Sequence, residues 1–234
     1  MTASALTMTN PETALPSSSV KVWDGAIRLF HWSMAAMIVA MWWTAENHAM
    51  DWHRRIGMVL VGLVVFRLYW GVFGSTTARF SSFVRGPKAI LAYFKKLTTK
   101  PYVPDFGHNP LGALSVIALL LAVMFQLTAG LFAVDTDGLE SGPLSRFVDF
   151  DTGRMFAELH ETGFNVLLWL IGLHLVAVAL YTIVLRANLI IPMITGSRKS
   201  EPADEAIPVV KVSIIRLVIG VAISAGVVWY LFGL

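Results

Sequence analysis

No cysteine occurs anywhere in these 234 residues, and that absence removes several chemistries. The chain forms no disulfide, binds no cysteine-ligated iron–sulfur cluster and attaches no haem through a C-x-x-C-H motif. Any metal is left to histidine, methionine or carboxylate. Charge is scarce as well: Asp, Glu, Lys and Arg make up 14% of the chain, where a soluble domain carries about 25%. A signal peptide is not evident either. The segment 1–20, rich in Ser, Thr, Ala and Pro, lacks the charged start and apolar core of one. It reads as a disordered tail that stays cytoplasmic.

Apolar residues fill the space left by charge. They make up 56% of the chain, and the mean hydropathy is +0.67. Five stretches, near 27–46, 55–74, 110–134, 159–186 and 213–233, are long enough, or nearly so, to cross a hydrocarbon layer of about 30 Å. Without water to satisfy backbone groups, such stretches must be helical. The expected fold is an all-α integral membrane protein. A four-helix unit over 21–190 and a linker over 191–212 precede a fifth helix over 213–234.

The loops give an orientation. Between Ser75 and His108 stand Arg79, Arg85, Lys88, Lys95, Lys96 and Lys100 against the single acid Asp105. Between Asp135 and Leu159 the balance reverses, with Arg146 and Arg154 against Asp135, Asp137, Glu140, Asp149, Asp151 and Glu158. By the positive-inside rule the first loop is cytoplasmic and the second is outside. The expected topology is N-terminus in, C-terminus out, in five crossings. The net charge of +3 then reflects orientation, not nucleic-acid binding.

Ionisable residues inside membrane helices are costly and usually functional. His160 and His174 lie fourteen residues apart in the fourth span, which places them on nearly one helix face, roughly 21 Å apart along the axis. In the orientation above, His160 and His53 sit near the outer surface, and His174 and His31 sit deeper toward the cytoplasm. Two depth-matched pairs result. Paired imidazoles suit iron, and each ring can be oriented through its second nitrogen. Two stacked bis-histidine haems would fit, closed to oxygen and suited to electron transfer. Gly57, Gly163 and Gly172, near the ligand candidates, offer room for a flat macrocycle.

Haem propionates need cations. Arg54 and Arg55 follow His53, while Lys21 and Arg28 precede His31. Arg67, fourteen residues beyond His53, falls at the inner level, as a propionate partner or as a side chain snorkelling to the headgroups. Other residues carry simpler readings. A lone membrane histidine is commonly an interhelix hydrogen-bonding group, and His48 reads as solvated. His108 opens a helix start in which Asn109 caps and Pro110 takes the first turn, with a role near the inner haem or a quinone as the alternative. Trp23, Trp32, Trp42, Trp43, Trp52, Trp70 and Trp229 mostly fall near span ends, as an interfacial belt does. Met34, Met37, Met41 and Met58 read as packing.

Several runs in order resemble one family. They are Val22-Trp23-Asp24, Arg28-Leu29-Phe30-His31-Trp32, His53-Arg54-Arg55-Ile56-Gly57 and Arg67-Leu68-Tyr69-Trp70-Gly71-Val72-Phe73-Gly74. Ala78-Arg79-Phe80, Gly107-His108-Asn109-Pro110-Leu111-Gly112, His160-Glu161 and His174 complete them. Over about 20–190 the chain is similar to the bacterial cytochrome b561 and nickel–iron hydrogenase b-type cytochrome group. That resemblance implies a four-helix core, two non-covalent b haems and membrane quinone as redox partner. It carries ligand roles onto His31, His53, His160 and His174.

The expected function is electron relay between a periplasmic redox protein, such as a hydrogenase, dehydrogenase or c-type cytochrome, and membrane quinone. The acidic outer loop would be the docking surface. Two other readings compete with it. One is a stand-alone quinone oxidoreductase using a small reductant or superoxide; the other is a haem-free membrane anchor or transporter. The fifth span, with Arg216 as its only charge and no histidine, is expected to dock against the core, lipid or another subunit.

Overall fold

The computed structural model describes residues 19–97, 105–137, 140–200 and 211–234. Five of its helices are long and apolar enough to cross a membrane: α1 (Gly25–Glu46), α2 (Met50–Phe73), α5 (Pro110–Phe132), α6 (Phe150–Ile183) and α8 (Ile214–Phe232). Their starts are set by capping. Asp24 accepts from the Ile27 amide at 2.8 Å, Asn109 from Gly112 at 2.7 Å with Pro110 in the first turn, and Asp149 from Thr152 at 2.9 Å. Each satisfies an amide that the helix leaves without a partner. A turn through Asn47, with His48 at φ 54°, reverses the chain between α1 and α2.

α1 packs on α2, α5 on α6, and α2 also touches α5. Met34, Leu60, Val64, Val123 and Leu167 meet in the centre of this four-helix group. The outward faces are apolar too: on α6, Trp169, Leu173 and Ile183 are largely exposed, as suits side chains that face lipid. α6 has 34 residues, roughly 51 Å of helix, so its first turns extend past a hydrocarbon core. Asp149, Asp151, Arg154 and Glu158, expected in a loop, therefore stand on or at the cap of this helix.

α8 lies against α2. Two glycines permit the approach: a Cβ on Gly62 would collide with Val228 Cγ2, and one on Gly220 would stand 2.6 Å from Tyr69 Cδ1. Small residues at such crossings are the usual means by which membrane helices pack.

The end of the bundle where α1 begins is closed by a clasp. Strand β1 (Ser19–Lys21) pairs antiparallel with β2 (Ser197–Lys199), Val20 opposite Arg198. The short α7 (Ile190–Thr195) precedes β2, and the Gly196 carbonyl accepts from the Val22 and Trp23 amides at 2.8 and 3.1 Å. Residues 19–20 of the expected tail thus belong to a strand; 1–18 lie outside the described residues. Part of the expected linker forms α7 and β2, and 201–210 lie outside the described residues. The segment 75–108, read as a loop, contains α3 (Phe80–Phe83) and the amphipathic α4 (Pro87–Leu97). α4 buries Tyr93, whose hydroxyl accepts from Tyr181 at 3.0 Å. Lys100 lies outside the described residues.

Candidate functional site

The four membrane histidines meet in two pairs. The imidazoles of His53 and His160 face each other across α2 and α6, with ring centroids 6.0 Å apart and planes at 83°. Those of His31 and His174, on α1 and α6, are 6.5 Å apart with planes at 53°. Both expected pairings are therefore present in the fold. Fourteen residues of continuous α6 separate His160 from His174.

Hydrogen bonds fix the ring orientation in the first pair. His53 Nδ1 lies 3.1 Å from the Met41 carbonyl, and His160 Nδ1 lies 2.9 Å from the Gln126 carbonyl. A carbonyl only accepts, so Nδ1 carries the hydrogen in both and Nε2 keeps its lone pair for a metal. Thr44 Oγ1 also lies 3.2 Å from His53 Nδ1. In the second pair His174 Nδ1 stands 3.4 Å from Ser115 Oγ. The buried Nδ1 of His31 has no hydrogen-bond partner among the described residues.

This donor set fits haem better than a bare metal ion. Among the described residues no cluster of three or more His, Asp or Glu side chains is placed to hold a metal. Two facing imidazoles suit an iron that already carries four equatorial nitrogens. The ring centroids stand 6.0 and 6.5 Å apart, which leaves room for one metal ion between the two imidazoles. Space is provided as well. A Cβ on Gly130 would lie 2.7 Å from His160 Cε1, so only glycine leaves that imidazole its place. A cleft with about 650 Å3 of empty space, its open side included, runs past His53 and His160 and is lined by Met41, Gly57, Met58 and Gly130.

Gly57 borders this cleft as expected. Gly163 does not: a Cβ there would meet Gln126 and Phe125 of α5, so it serves the α5–α6 contact. Gly172 faces open space. Arg54 lines the cleft but is paired with Asp51 at 2.6 Å and Glu140 at 3.4 Å. Arg28 donates through Nη1 to the Ile194 carbonyl, beside Trp32, whose indole donates to the Met193 carbonyl at 3.2 Å.

Arg67 neither snorkels nor reaches solvent. It is buried, donates to the Ala78 carbonyl at 3.3 Å and lies 4.5 Å from the centre of the Phe80 ring. Near it is a polar cluster that sequence reading missed. Asp24, 1% exposed, accepts from the Trp70 indole at 3.2 Å and from the Ser75 hydroxyl while capping α1. Trp70 is fully buried and Trp23 nearly so, so these two belong to the core and not to an interfacial belt. His108 lies between Trp23 and Phe83, at centroid distances of 4.6 and 4.4 Å. Burial, and secondarily the Arg67 charge, pushes its pKa down to about 3. Its Nδ1 is buried and has no hydrogen-bond partner among the described residues.

Neither the capping role of Asp24 nor its burial was read from the sequence. Gly130 gave no signal, because a glycine in an apolar run is ordinary in membrane helices.

The fold and site are those of a multi-pass helical membrane protein with two cross-helix histidine pairs. The model of the prokaryotic cytochrome b561 family matches residues 22–196, and the chain belongs to that family. It is also 26% identical over 219 residues to a protein named probable Ni/Fe-hydrogenase B-type cytochrome subunit, from Azotobacter chroococcum mcd 1. That alignment covers 77% of this chain and 89% of the relative. No solved structure gives a significant match. The protein is thus a membrane electron-transfer cytochrome of the b type. The family match ends before α8.

Proposed function

We propose that this cytochrome relays electrons across a bacterial cytoplasmic membrane, between a periplasmic redox protein and the quinone pool, through two b haems. His53 and His160 would hold one and His31 and His174 the other. The observation that carries this reading is the pair of facing imidazoles at 6.0 and 6.5 Å, separated by fourteen residues of one helix, roughly 21 Å. A bound b haem supplies one-electron chemistry at its iron.

The chain's own residues supply orientation and exclusion. Met41 and Gln126 carbonyls hold the outer rings by Nδ1, so Nε2 is left with its lone pair for a metal. Imidazoles from both sides would keep oxygen from the iron of a bound haem. Arg54 at the outer cleft and Arg28 at the inner end are among the cations placed near the pairs, each held by protein oxygens. Arg67 and His108 lie at the inner end, and Arg67 provides a fixed positive charge there.

The charge of the two ends supports an inward N-terminus. Arg79, Arg85, Lys88, Lys95 and Lys96 follow α2 at the clasp end, whereas Asp135, Asp137, Glu140 and Asp149 gather beyond α5. The acidic end would be periplasmic and dock the redox partner, with a hydrogenase favoured by the name of the Azotobacter relative. A dithionite-reduced minus oxidised spectrum with haem quantified per chain tests the reading. Two haems per chain support it; one haem, or none in folded protein expressed with haem available, overturns it.

A further inference from the structure

A second cleft opens on the flank of the bundle. It is lined by Trp52, Arg55, Ile56 and Val59 on α2, by Met37 of α1 and by Phe232 of α8. The positions 52, 55, 56 and 59 fall on one helical stripe. The empty space is about 550 Å3, its open side included. Except at its rim the lining is apolar. At the rim, Arg55 makes no hydrogen bond or ion pair among the described residues, and its guanidinium lies 5.8 Å from the centre of the Trp52 ring. Its neighbour Arg54, by contrast, is tied to Asp51 and Glu140. Trp52 itself is 61% exposed.

We infer that this cleft between α1, α2 and α8 is a docking site for the ring of a membrane quinone. The inference rests on the quinone reading above and assigns that molecule a place. Three features select the occupant. Arg55 offers free N–H donors, which suit carbonyl oxygens. Trp52 offers a flat aromatic face beside them, which suits a planar ring and which a phosphate headgroup does not need. Met37, Ile56, Val59 and Phe232 offer an apolar lane for a long hydrocarbon tail, on a surface that faces lipid. Arg55 and Ile56 stand two and three residues from His53 on the same helix, so the docked ring would lie at the level of the outer histidine pair. Phe232 gives the fifth helix a role: it adds a lining residue that the matched family segment, ending at residue 196, does not supply.

The test uses the full haem-loaded chain in phosphatidylcholine nanodiscs, irradiated with an azido-benzoquinone carrying a short prenyl tail and mapped by mass spectrometry. Label is expected on the 52–59 segment and the end of α8, and excess decylubiquinone should remove it. Arg55→Gln should cut labelling about tenfold, the loss expected for hydrogen bonds from a charged donor. Val59→Trp and Phe232→Ala should reduce labelling with haem content unchanged. Labelling removed by phosphatidylglycerol but not by decylubiquinone would identify an anionic-lipid site and overturn the assignment. Quinone-competed label elsewhere on the chain would overturn the location and leave the quinone reading standing. No quinone-competed label anywhere would overturn both. Unchanged labelling in Phe232→Ala would remove α8 from the site.

Discussion

His53 and His160 face each other across 6.0 Å with their ring planes nearly perpendicular, and each ring is held through Nδ1 by the backbone carbonyl of a different helix. Met41 belongs to α1 and Gln126 to α5, so all four helices of the core contribute to this one pair. Such carbonyl contacts set tautomer and orientation before any metal arrives. The second pair is held more loosely, by a 3.4 Å contact from His174 to Ser115.

On the two-haem reading proposed above, replacement of one paired histidine should remove one haem and spare the other. His160→Leu is expected to lower the haem content from two to one per chain, and His174→Leu to do the same with a different residual spectrum. The pyridine haemochrome assay gives the count. Loss of both haems in either variant, in protein that still folds, would mean that the pairs are not independent sites.

Gly130 should be intolerant of any side chain. A Cβ at that position would stand 2.7 Å from His160 Cε1, and α5 is fixed there by its packing on α6. Gly130→Val is therefore expected to displace the imidazole and lose the haem proposed for His53 and His160, whereas Gly172→Ala, with open space around it, should retain the full haem content of the parent. Haem content and the low-spin absorption bands distinguish these outcomes.

How much of this was legible in the chain depends on the physical signal each feature leaves. The five spans and both histidine pairings were legible, because apolar length, loop charge and a 3.6-residue repeat are all local properties. Asn109-Pro110 marked the start of α5 for the same reason. The clasp of β1 on β2 was not, since it joins segments nearly 180 residues apart through backbone bonds that are blind to side-chain identity. α4 was hidden inside a basic loop that was read for its charge and not for its periodicity. Trp70 was misread because a tryptophan near a span end looks alike whether it faces lipid or, as here, donates to a buried Asp24.

Asp24 should matter to stability more than any other carboxylate described above. Its side chain accepts from the Ile27 amide, the Trp70 indole and the Ser75 hydroxyl in a site 1% exposed. Asp24→Ala strands three buried donors and removes a helix cap, a loss of about 2–4 kcal/mol. Thermal unfolding in detergent, followed by circular dichroism, should show a clear drop in midpoint. Glu46→Gln, at an exposed position, should stay within about 0.5 kcal/mol of the parent. Equal behaviour of the two variants would refute the role given to Asp24.

His108 should make the protein acid-sensitive below neutrality. Outside the spanning segments, it is held neutral by burial and by the Arg67 charge, with its pKa lowered from 6.5 to about 3. Below pH 6.5 the unfolded chain binds a proton here that the folded chain refuses. Stability is therefore complete above about 6.5 and falls as pH drops from there toward about 3, by at most about 1.4 kcal/mol per pH unit from this group. His108→Phe, which keeps a ring between Trp23 and Phe83, should flatten that slope between pH 6.5 and 4 and leave stability at pH 7.5 little changed. Unfolding free energies measured across that range decide the matter. An unaltered slope in His108→Phe would show that the imidazole is protonated in the folded protein, and that neither its buried place nor Arg67 keeps it neutral.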